Sequence, residues 1–185
     1  LFRSNAELAE KYIEESDASP MAVLTDKANE QHYEVPASFY QKVLGKNLKY
    51  SCCFFDPYAN DLINAENRAL ELSCEHANLE DEMEILELGC GWGSLSLWMA
   101  TNYPKARITS ISNSHSQREH ILGEARKRGL NNLDVLTEDI NAFETDKQFD
   151  RVVSVEMFEH VRNHRELFRR IYSWLTPGGK LFTHV

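Results

Sequence analysis

Apolar side chains recur along this chain in two different patterns, and one gives way to the other near residue 83. Residues 4–16, 35–44 and 61–76 carry apolar positions at helical spacing, and proline or glycine punctuates these stretches. We therefore predict an N-terminal helical cap segment over residues 1–82, followed by a different unit over residues 83–185.

The second unit alternates short apolar runs with helical patterns. The runs predict five strands, over residues 85–88, 107–112, 135–136, 151–155 and 180–185. Helices are predicted between them over residues 95–100, from residue 114 to a cap at Gly129, and over residues 165–175. Alternation at this pace favours parallel strands joined by right-handed crossovers, so we expect an α/β fold with a doubly wound sheet.

The composition narrows the classes of partner and site. The 185 residues are 42% apolar and 26% charged, as in an ordinary globular domain, and the net charge is −9. This acidic balance argues against a nucleic-acid partner, because phosphate contacts need a surface of lysine and arginine. No apolar run approaches the ~20 residues that span a bilayer, so we predict no transmembrane segment. The four cysteines form no CxxC pair, which predicts no metal site and favours a reducing, cytoplasmic location.

The sharpest motif is E-L-G-C-G-W-G at residues 87–93, directly after the first predicted strand. Three alternating glycines let a backbone pass very close to a ligand, because a Cβ would block the approach. The alternative is a tight strand-to-helix turn with no ligand. A dinucleotide motif would read G-x-G-x-x-G with a carboxylate about 20 residues further on. Here the third glycine comes one residue early and the second strand ends without an acid, so NAD is disfavoured. S-adenosylmethionine has no pyrophosphate and needs only the shorter turn.

An acidic stretch follows the third predicted strand at residues 138–140. A carboxylate at Asp139 can accept a hydrogen bond from an adenine amino group, while Ile140 packs against the ring. The alternative is that Asp139 is a helix N-cap. The local pattern leaves both open.

Four motifs resemble those of the cyclopropane fatty acid synthase superfamily of S-adenosylmethionine-dependent methyltransferases. They lie at residues 50–55, 87–93, 112–117 and 156–160. Within the superfamily the chain is most similar to the coclaurine N-methyltransferase-like branch. The resemblance implies a class I, Rossmann-like fold whose sheet has seven strands. Because the pattern here supplies five, we expect the C-terminal strands in further polypeptide beyond Val185.

The resemblance also implies which residues meet the cofactor, with S-adenosylhomocysteine as the product. The implied cofactor-binding residues are Tyr50, Ser51, Glu87, Gly89, Gly91, Gly93, Ser112, Asn113, Gln117, Asp139 and Ile140. Tyr50 and Ser51 would touch the methionine end of the cofactor. A segment that begins at His32 and Tyr33 would close over it.

Glu156, Glu159 and His160 follow the fourth predicted strand. They would lie at the carboxyl edge of the sheet, where open α/β folds bind their ligands. A protonated amine has no lone pair with which to attack a methyl group, so N-methylation requires that its proton be removed. We expect Glu159 to hold the ammonium and to form with His160 the base pair that takes the proton, and Glu156 to orient both. The alternatives are an exposed helix-start histidine at His160 and a helix cap at Glu156.

Two positions distinguish the branches of the superfamily. Residues 161–163 match the N-methyltransferases, whereas Cys52 matches the cyclopropane synthases, although a small buried apolar role is also predicted for it. We give the first more weight and predict N-methylation of a small-molecule amine. The alternatives are methylene transfer to an unsaturated acyl chain, with bicarbonate held partly by Cys52 and Glu159, and a non-catalytic cofactor-binding module. Three nearby aromatic residues are predicted to be core rather than a cation-stabilising wall: Phe54, Phe55 and Tyr58.

Overall fold

The computed structural model describes residues 5–23, 36–58 and 60–185. The segment predicted to begin at His32 and Tyr33 therefore lies outside the described residues. Three helices precede the sheet within the described ranges: α1 (Asn5–Asp17), α2 (Ala37–Val43) and α3 (Leu62–His76). They confirm the three predicted helical stretches of the cap segment to within one or two residues.

Strands and helices then alternate as the sequence predicts. The elements in chain order are β1 (Glu84–Leu88), α4 (Ser94–Asn102), β2 (Arg107–Ser112), α5 (His115–Lys127), β3 (Leu133–Thr137), β4 (Phe149–Val155), a 3-10 turn (Phe158–His160), α6 (His164–Trp174) and β5 (Leu175–His184). Two capping signals in the sequence are confirmed. Ser114 accepts a hydrogen bond from the backbone of Gln117 at the start of α5, and Gly129 follows the helix with φ 69°.

The described strands form one parallel sheet in the order β3-β2-β1-β4-β5. Side chains alternate across β1, so Ile85 joins a core under α3, α4 and α5, and Leu86 joins a second core under α6. Both faces of the sheet are therefore covered by helices, and the doubly wound α/β fold is confirmed. Among the described helices, none is long and apolar enough to cross a membrane.

The fifth strand starts earlier than the sequence predicts. Leu175 already pairs with Phe149, and pairing resumes with Lys180 opposite Arg151. The residues between them, including Gly178 with φ 85°, form a bulge inside the strand rather than a turn before it. This bulge brings the end of β5 beside the end of β4, with His184 opposite Val155.

Candidate active site

The glycine turn after β1 has three left-handed glycines, and the structure divides them by what surrounds them. Gly89, Gly91 and Gly93 have φ values of 78°, 51° and 82°. A Cβ at Gly89 would lie 2.7 Å from the side chain of Met157, and one at Gly93 would collide with Ile121. At Gly91, no described residue lies within 4 Å of such a Cβ. Protein packing alone therefore explains two of the glycines, and Gly91 is the one that faces open space.

Glu87 lies behind this turn. It is 3% exposed, and its carboxylate accepts hydrogen bonds from the hydroxyls of Ser96 and of Ser110, the latter at 2.7 Å. Burial raises the pKa of this carboxyl above its usual value. These contacts tie β1 to α4 and β2, so Glu87 supports the turn from the side of the core. Contact between Glu87 and a cofactor stays a prediction.

The end of β2 carries a buried amide with unused donor capacity. Ser112 donates a hydrogen bond of 2.6 Å to the side-chain oxygen of Gln117, which is 2% exposed. The Nε2 of Gln117 has no partner among the described residues, and neither does the buried hydroxyl of Thr137 at the end of β3. Buried polar atoms are nearly always paired. Two orphaned groups at the carboxyl edge of the sheet therefore indicate a ligand there. Asn113, predicted for the same site, is half-buried between Ser112 and the start of α5.

Asp139 and Ile140 follow β3. The carboxylate of Asp139 accepts a hydrogen bond of 2.8 Å from the backbone N–H of Asn141. The main-chain carbonyl of Asp139 accepts hydrogen bonds from the backbone N–H groups of Ala142 and Phe143. Asp139 thus forms a local turn, but no helix begins in the described residues between β3 and β4, so the helix N-cap predicted as the alternative is wrong. Ile140 is half-buried against the core under α6. An adenine contact at either residue stays a prediction.

Tyr40 on helix α2 connects Tyr50 to the glycine turn. The ring of Tyr40 lies 5.0 Å from the ring of Trp92, which is part of the turn, and 5.8 Å from the ring of Tyr50. Tyr40 and Trp92 are both buried, whereas Tyr50 is 64% exposed. The carbonyl of Ser51 accepts a hydrogen bond of 2.5 Å from the ammonium of Lys49. The cap segment therefore packs directly against the turn.

The structure joins two acidic side chains and a thiol beyond the end of β4. Cys52 donates a hydrogen bond of 3.2 Å from its Sγ to Oε1 of Glu156, and the carboxyl group of Glu159 lies close enough to act on the pKa of the same carboxylate. The Cys52 thiol holds the pKa of Glu156 below its usual value, with smaller contributions from Glu159, His184 and Lys49, and the same contact raises the pKa of the thiol.

The backbone at this cluster is strained. Cys52 and Glu156 have φ values of 52° and 57°, a region that non-glycine residues rarely occupy and that is often found at functional sites. The side chain of Glu156 does not cap the next helix, because Asn163 caps α6. His160 is exposed at the end of the 3-10 turn. The cap predicted as an alternative for Glu156 is therefore wrong.

Two further predictions about residues 52–58 are also wrong. Cys52 is exposed rather than a buried apolar residue. The sequence predicts core positions for Phe54, Phe55 and Tyr58, yet these residues are 49%, 62% and 89% exposed. The reason is that this segment passes over the surface between α2 and α3, so apolar residue type alone did not report burial.

Comparison with known proteins places the chain in a family. The family model described as mycolic acid cyclopropane synthetase matches residues 24–185. The chain belongs to this family. It is 42% identical over 162 residues to (S)-coclaurine N-methyltransferase from Thalictrum flavum subsp. glaucum, a match that covers 88% of this chain and 45% of the relative. It is 31% identical over 157 residues to the cyclopropane-fatty-acyl-phospholipid synthase of Escherichia coli strain K12, covering 84% of this chain and 39% of that one.

A solved member of the family has the same fold. The crystal structure of coclaurine N-methyltransferase bound to N-methylheliamine and S-adenosylhomocysteine superposes with a TM-score of 0.91 at 36% identity. The match covers 100% of this chain and 54% of that one. The Rossmann-like methyltransferase fold is therefore confirmed, and the chain spans about half the length, or less, of the relatives it matches.

The sequence analysis does not identify two residues that lie beside the acidic cluster after β4, Lys49 and His184. Lys49 is 8% exposed, and its ammonium acts electrostatically on both Cys52 and Glu156. The carbonyl of His184 accepts the backbone N–H of Glu156 at 2.8 Å. No motif marks Lys49. His184 had a usable signal, since the ends of neighbouring parallel strands meet at one edge of the sheet.

Proposed function

We propose that this chain forms the cofactor site and reacting edge of an S-adenosylmethionine-dependent enzyme that methylates the nitrogen of a small-molecule amine. The observation that carries the proposal is that two neighbouring acidic side chains, Glu156 and Glu159, lie at the same sheet edge as the open position at Gly91. Paired carboxylates form an anionic site suited to an ammonium ion. The 42% identity to a coclaurine N-methyltransferase supports this choice of acceptor.

The residues at the glycine turn fit S-adenosylmethionine. Gly91 leaves open space on the turn, and Gln117 and Thr137 supply unpaired buried polar groups nearby on the same edge. An amide donor suits the oxygen atoms of a carboxylate or a ribose. Tyr50, Ser51 and the remaining predicted cofactor residues would complete the site. When bound, the cofactor supplies a methyl group on a sulfonium, and S-adenosylhomocysteine is left after transfer.

This chain's own residues would then bind the amine and remove its proton. The lowered pKa of Glu156 keeps this carboxylate ionised at neutral pH, so it favours the cationic form of the substrate on arrival. Glu159, exposed beside it, would hold the ammonium in place, which contributes through proximity. His160 on the same 3-10 turn would accept the proton, since an imidazole titrates near neutrality. The nitrogen lone pair is then free for in-line attack.

Methylene transfer to an unsaturated acyl chain is the second candidate. It is favoured by Cys52, which matches the cyclopropane synthases and contacts Glu156 at the reacting edge. In that branch bicarbonate acts as the base, and Cys52 with Glu159 would help to hold it. The E. coli cyclopropane synthase is the more distant relative, at 31% identity against 42%. We therefore rank this candidate below N-methylation.

Transfer of labelled methyl groups separates the candidates. The full-length protein is incubated with methyl-labelled S-adenosylmethionine and either a panel of primary, secondary and tertiary amines or vesicles of unsaturated phospholipid, each with and without bicarbonate. We expect label in the amines, independent of bicarbonate. Label in the lipid alone would refute N-methylation and favour the second candidate. Tight cofactor binding by calorimetry with no transfer to any acceptor would favour a non-catalytic module.

A cytoplasmic location and the absence of a nucleic-acid partner belong to this proposal as well. All four cysteines are free thiols, including the adjacent pair Cys52 and Cys53, as expected in a reducing compartment. The net charge of −9 disfavours phosphate contacts. The polypeptide expected beyond Val185 stays a prediction, and we assign to it much of the acceptor specificity.

A further inference from the structure

Glu66 on α3 has a fully buried carboxylate whose two oxygens accept backbone hydrogen bonds from one segment. The side chain is 0% exposed. Its Oε2 accepts the N–H of Asn47 at 2.9 Å, and its Oε1 accepts the N–H of Lys49 at 3.2 Å. A Cβ at Gly45 would lie 2.5 Å from the carboxylate, so the backbone of the segment runs directly against it. A buried charge is costly unless it is hydrogen-bonded in this way.

The segment that Glu66 holds leads straight into the candidate active site. Leu48 and Cys52 both have φ values of 52°, which is unfavourable for side chains of their size. Such a conformation persists only where its surroundings impose it. Two hydrogen bonds restrain the segment in addition to those of Glu66. The ammonium of Lys49 donates to the carbonyl of Ser51, and the thiol of Cys52 donates to the carboxylate of Glu156. The contacts thus run continuously from α3 to the acidic cluster after β4.

We propose that Glu66 is a positioning residue for the active site, acting through residues 45–52 to hold Cys52 against Glu156. The inference rests on the proposed function for its catalytic consequence, but the contact itself can be tested without catalysis. Two convergent N–H groups require two acceptor atoms, which a carboxylate provides. A glutamine of the same shape keeps only one acceptor oxygen and turns its amide donors towards the other N–H group.

The neighbouring Asn67 provides a matched control. Its Oδ1 accepts a hydrogen bond of 2.7 Å from the side chain of Asn47, so it touches the same segment from the same helix. Its contact is with the side chain of Asn47 and not with the backbone N–H groups of Asn47 and Lys49, so removing it leaves both hydrogen bonds to Glu66 in place. A general loosening of the interface between α3 and the segment would affect both variants, whereas the proposed role concerns Glu66 alone.

The experiment compares the wild type with Glu66→Gln, Glu66→Ala and Asn67→Ala in the full-length protein, at a temperature where all four remain folded. The rate of Cys52 alkylation by iodoacetamide is followed by fragment-ion mass spectrometry, which separates Cys52 from Cys53. The buried thiols of Cys74 and Cys90 report unfolding in the same sample. Turnover and cofactor affinity are measured in parallel.

We expect Glu66→Gln to raise the Cys52 alkylation rate by about threefold and Glu66→Ala by about tenfold, because release of the thiol from Glu156 increases its thiolate fraction. Turnover should fall in the same order, while Asn67→Ala stays within about twofold of the wild type in both readouts. An unchanged Cys52 rate in both Glu66 variants would overturn the proposal. So would acceleration only in step with Cys74 and Cys90, which would mean unfolding. If the wild type transfers no methyl group, the proposed function fails, and the alkylation rates still decide the positioning role.

Discussion

Substituting the left-handed glycines one at a time tests which of them is needed for protein packing and which leaves space for a ligand. Gly93→Ala places a Cβ against Ile121, whereas Gly91→Ala places one where no described residue lies within 4 Å. Gly129 offers a matched control, because it has φ 69° and equally open surroundings but lies at the opposite end of α5 from Gln117. All three variants place an alanine in the left-handed backbone conformation, so they share that energetic cost. They differ only in what the new methyl group contacts.

The magnitudes follow from two costs. A left-handed alanine costs roughly 1–2 kcal/mol relative to glycine, and forcing a methyl group into a packed core costs about 1–3 kcal/mol more. Gly93→Ala should therefore destabilise the fold by roughly 2–5 kcal/mol, and Gly91→Ala and Gly129→Ala by roughly 1–2 kcal/mol each. For a domain of this size, each kcal/mol of destabilisation lowers the Tm by about 2–4 °C. The Tm of Gly91→Ala and of Gly129→Ala should therefore fall by about 2–8 °C, and that of Gly93→Ala by distinctly more.

Cofactor affinity should depend on Gly91 and not on Gly129. Gly91→Ala is expected to raise the Kd for S-adenosylmethionine by about tenfold or more, equivalent to about 1.4 kcal/mol, and Gly91→Val should abolish binding. Gly129→Ala should leave the Kd unchanged. Thermal unfolding followed by circular dichroism gives the first quantity, and isothermal titration calorimetry gives the second. If Gly91→Ala and Gly129→Ala bind the cofactor equally well, the open position at Gly91 is not where the ligand lies, and the reasoning is refuted.

Three further predictions concern the acidic groups. Glu159→Ala should lower turnover by about 100-fold, because Glu159 holds the ammonium while its proton is removed, with cofactor affinity nearly unchanged; a full rate in steady-state assays would show that Glu159 takes no part in proton removal. Glu156→Gln removes the carboxylate that raises the pKa of the Cys52 thiol, so the pH profile of Cys52 alkylation should move to lower pH, and a profile that stays in place would contradict the contact. Burial raises the pKa of Glu87 above its usual value of 4.5. The free energy of unfolding therefore falls as the pH rises through the pKa that this carboxyl has in the folded state. Glu87→Gln should therefore have a Tm at pH 7 no lower than the wild type, an advantage that fades towards pH 4, and a large loss at pH 7 would mean that the charge itself stabilises the fold.

The fold was accessible from the sequence because each signal in it is local. Buried parallel strands read as short apolar runs, and β2 is found over the residues predicted, while Ser114 and Gly129 bound α5 as expected. The start of β5 was missed for a physical reason. Proline and two glycines normally mark a turn, but here they form a bulge inside β5. They do so because Leu175, which precedes them, already pairs with Phe149, and this pairing across the sheet has no local signal in the sequence.

The candidate site was only partly accessible. The glycine motif and the residues after β4 stand out as motifs, but the contact between Cys52 and Glu156 joins positions 104 residues apart. Nothing local predicts it, nor the bonds of Glu66 to Asn47 and Lys49. Burial of side chains in irregular segments is likewise decided by tertiary structure, which is why the aromatic residues at 54–58 were misassigned.

Calorimetric titration of the full-length protein with S-adenosylmethionine and with NAD, for the wild type and for Gly91→Val, tests most directly whether the bare backbone of the glycine turn is a nucleoside site. We expect saturable 1:1 binding of S-adenosylmethionine to the wild type, competed by S-adenosylhomocysteine, no binding of NAD, and no S-adenosylmethionine binding to a folded Gly91→Val variant. Undiminished S-adenosylmethionine binding to Gly91→Val, or a preference of the wild type for NAD, would contradict it.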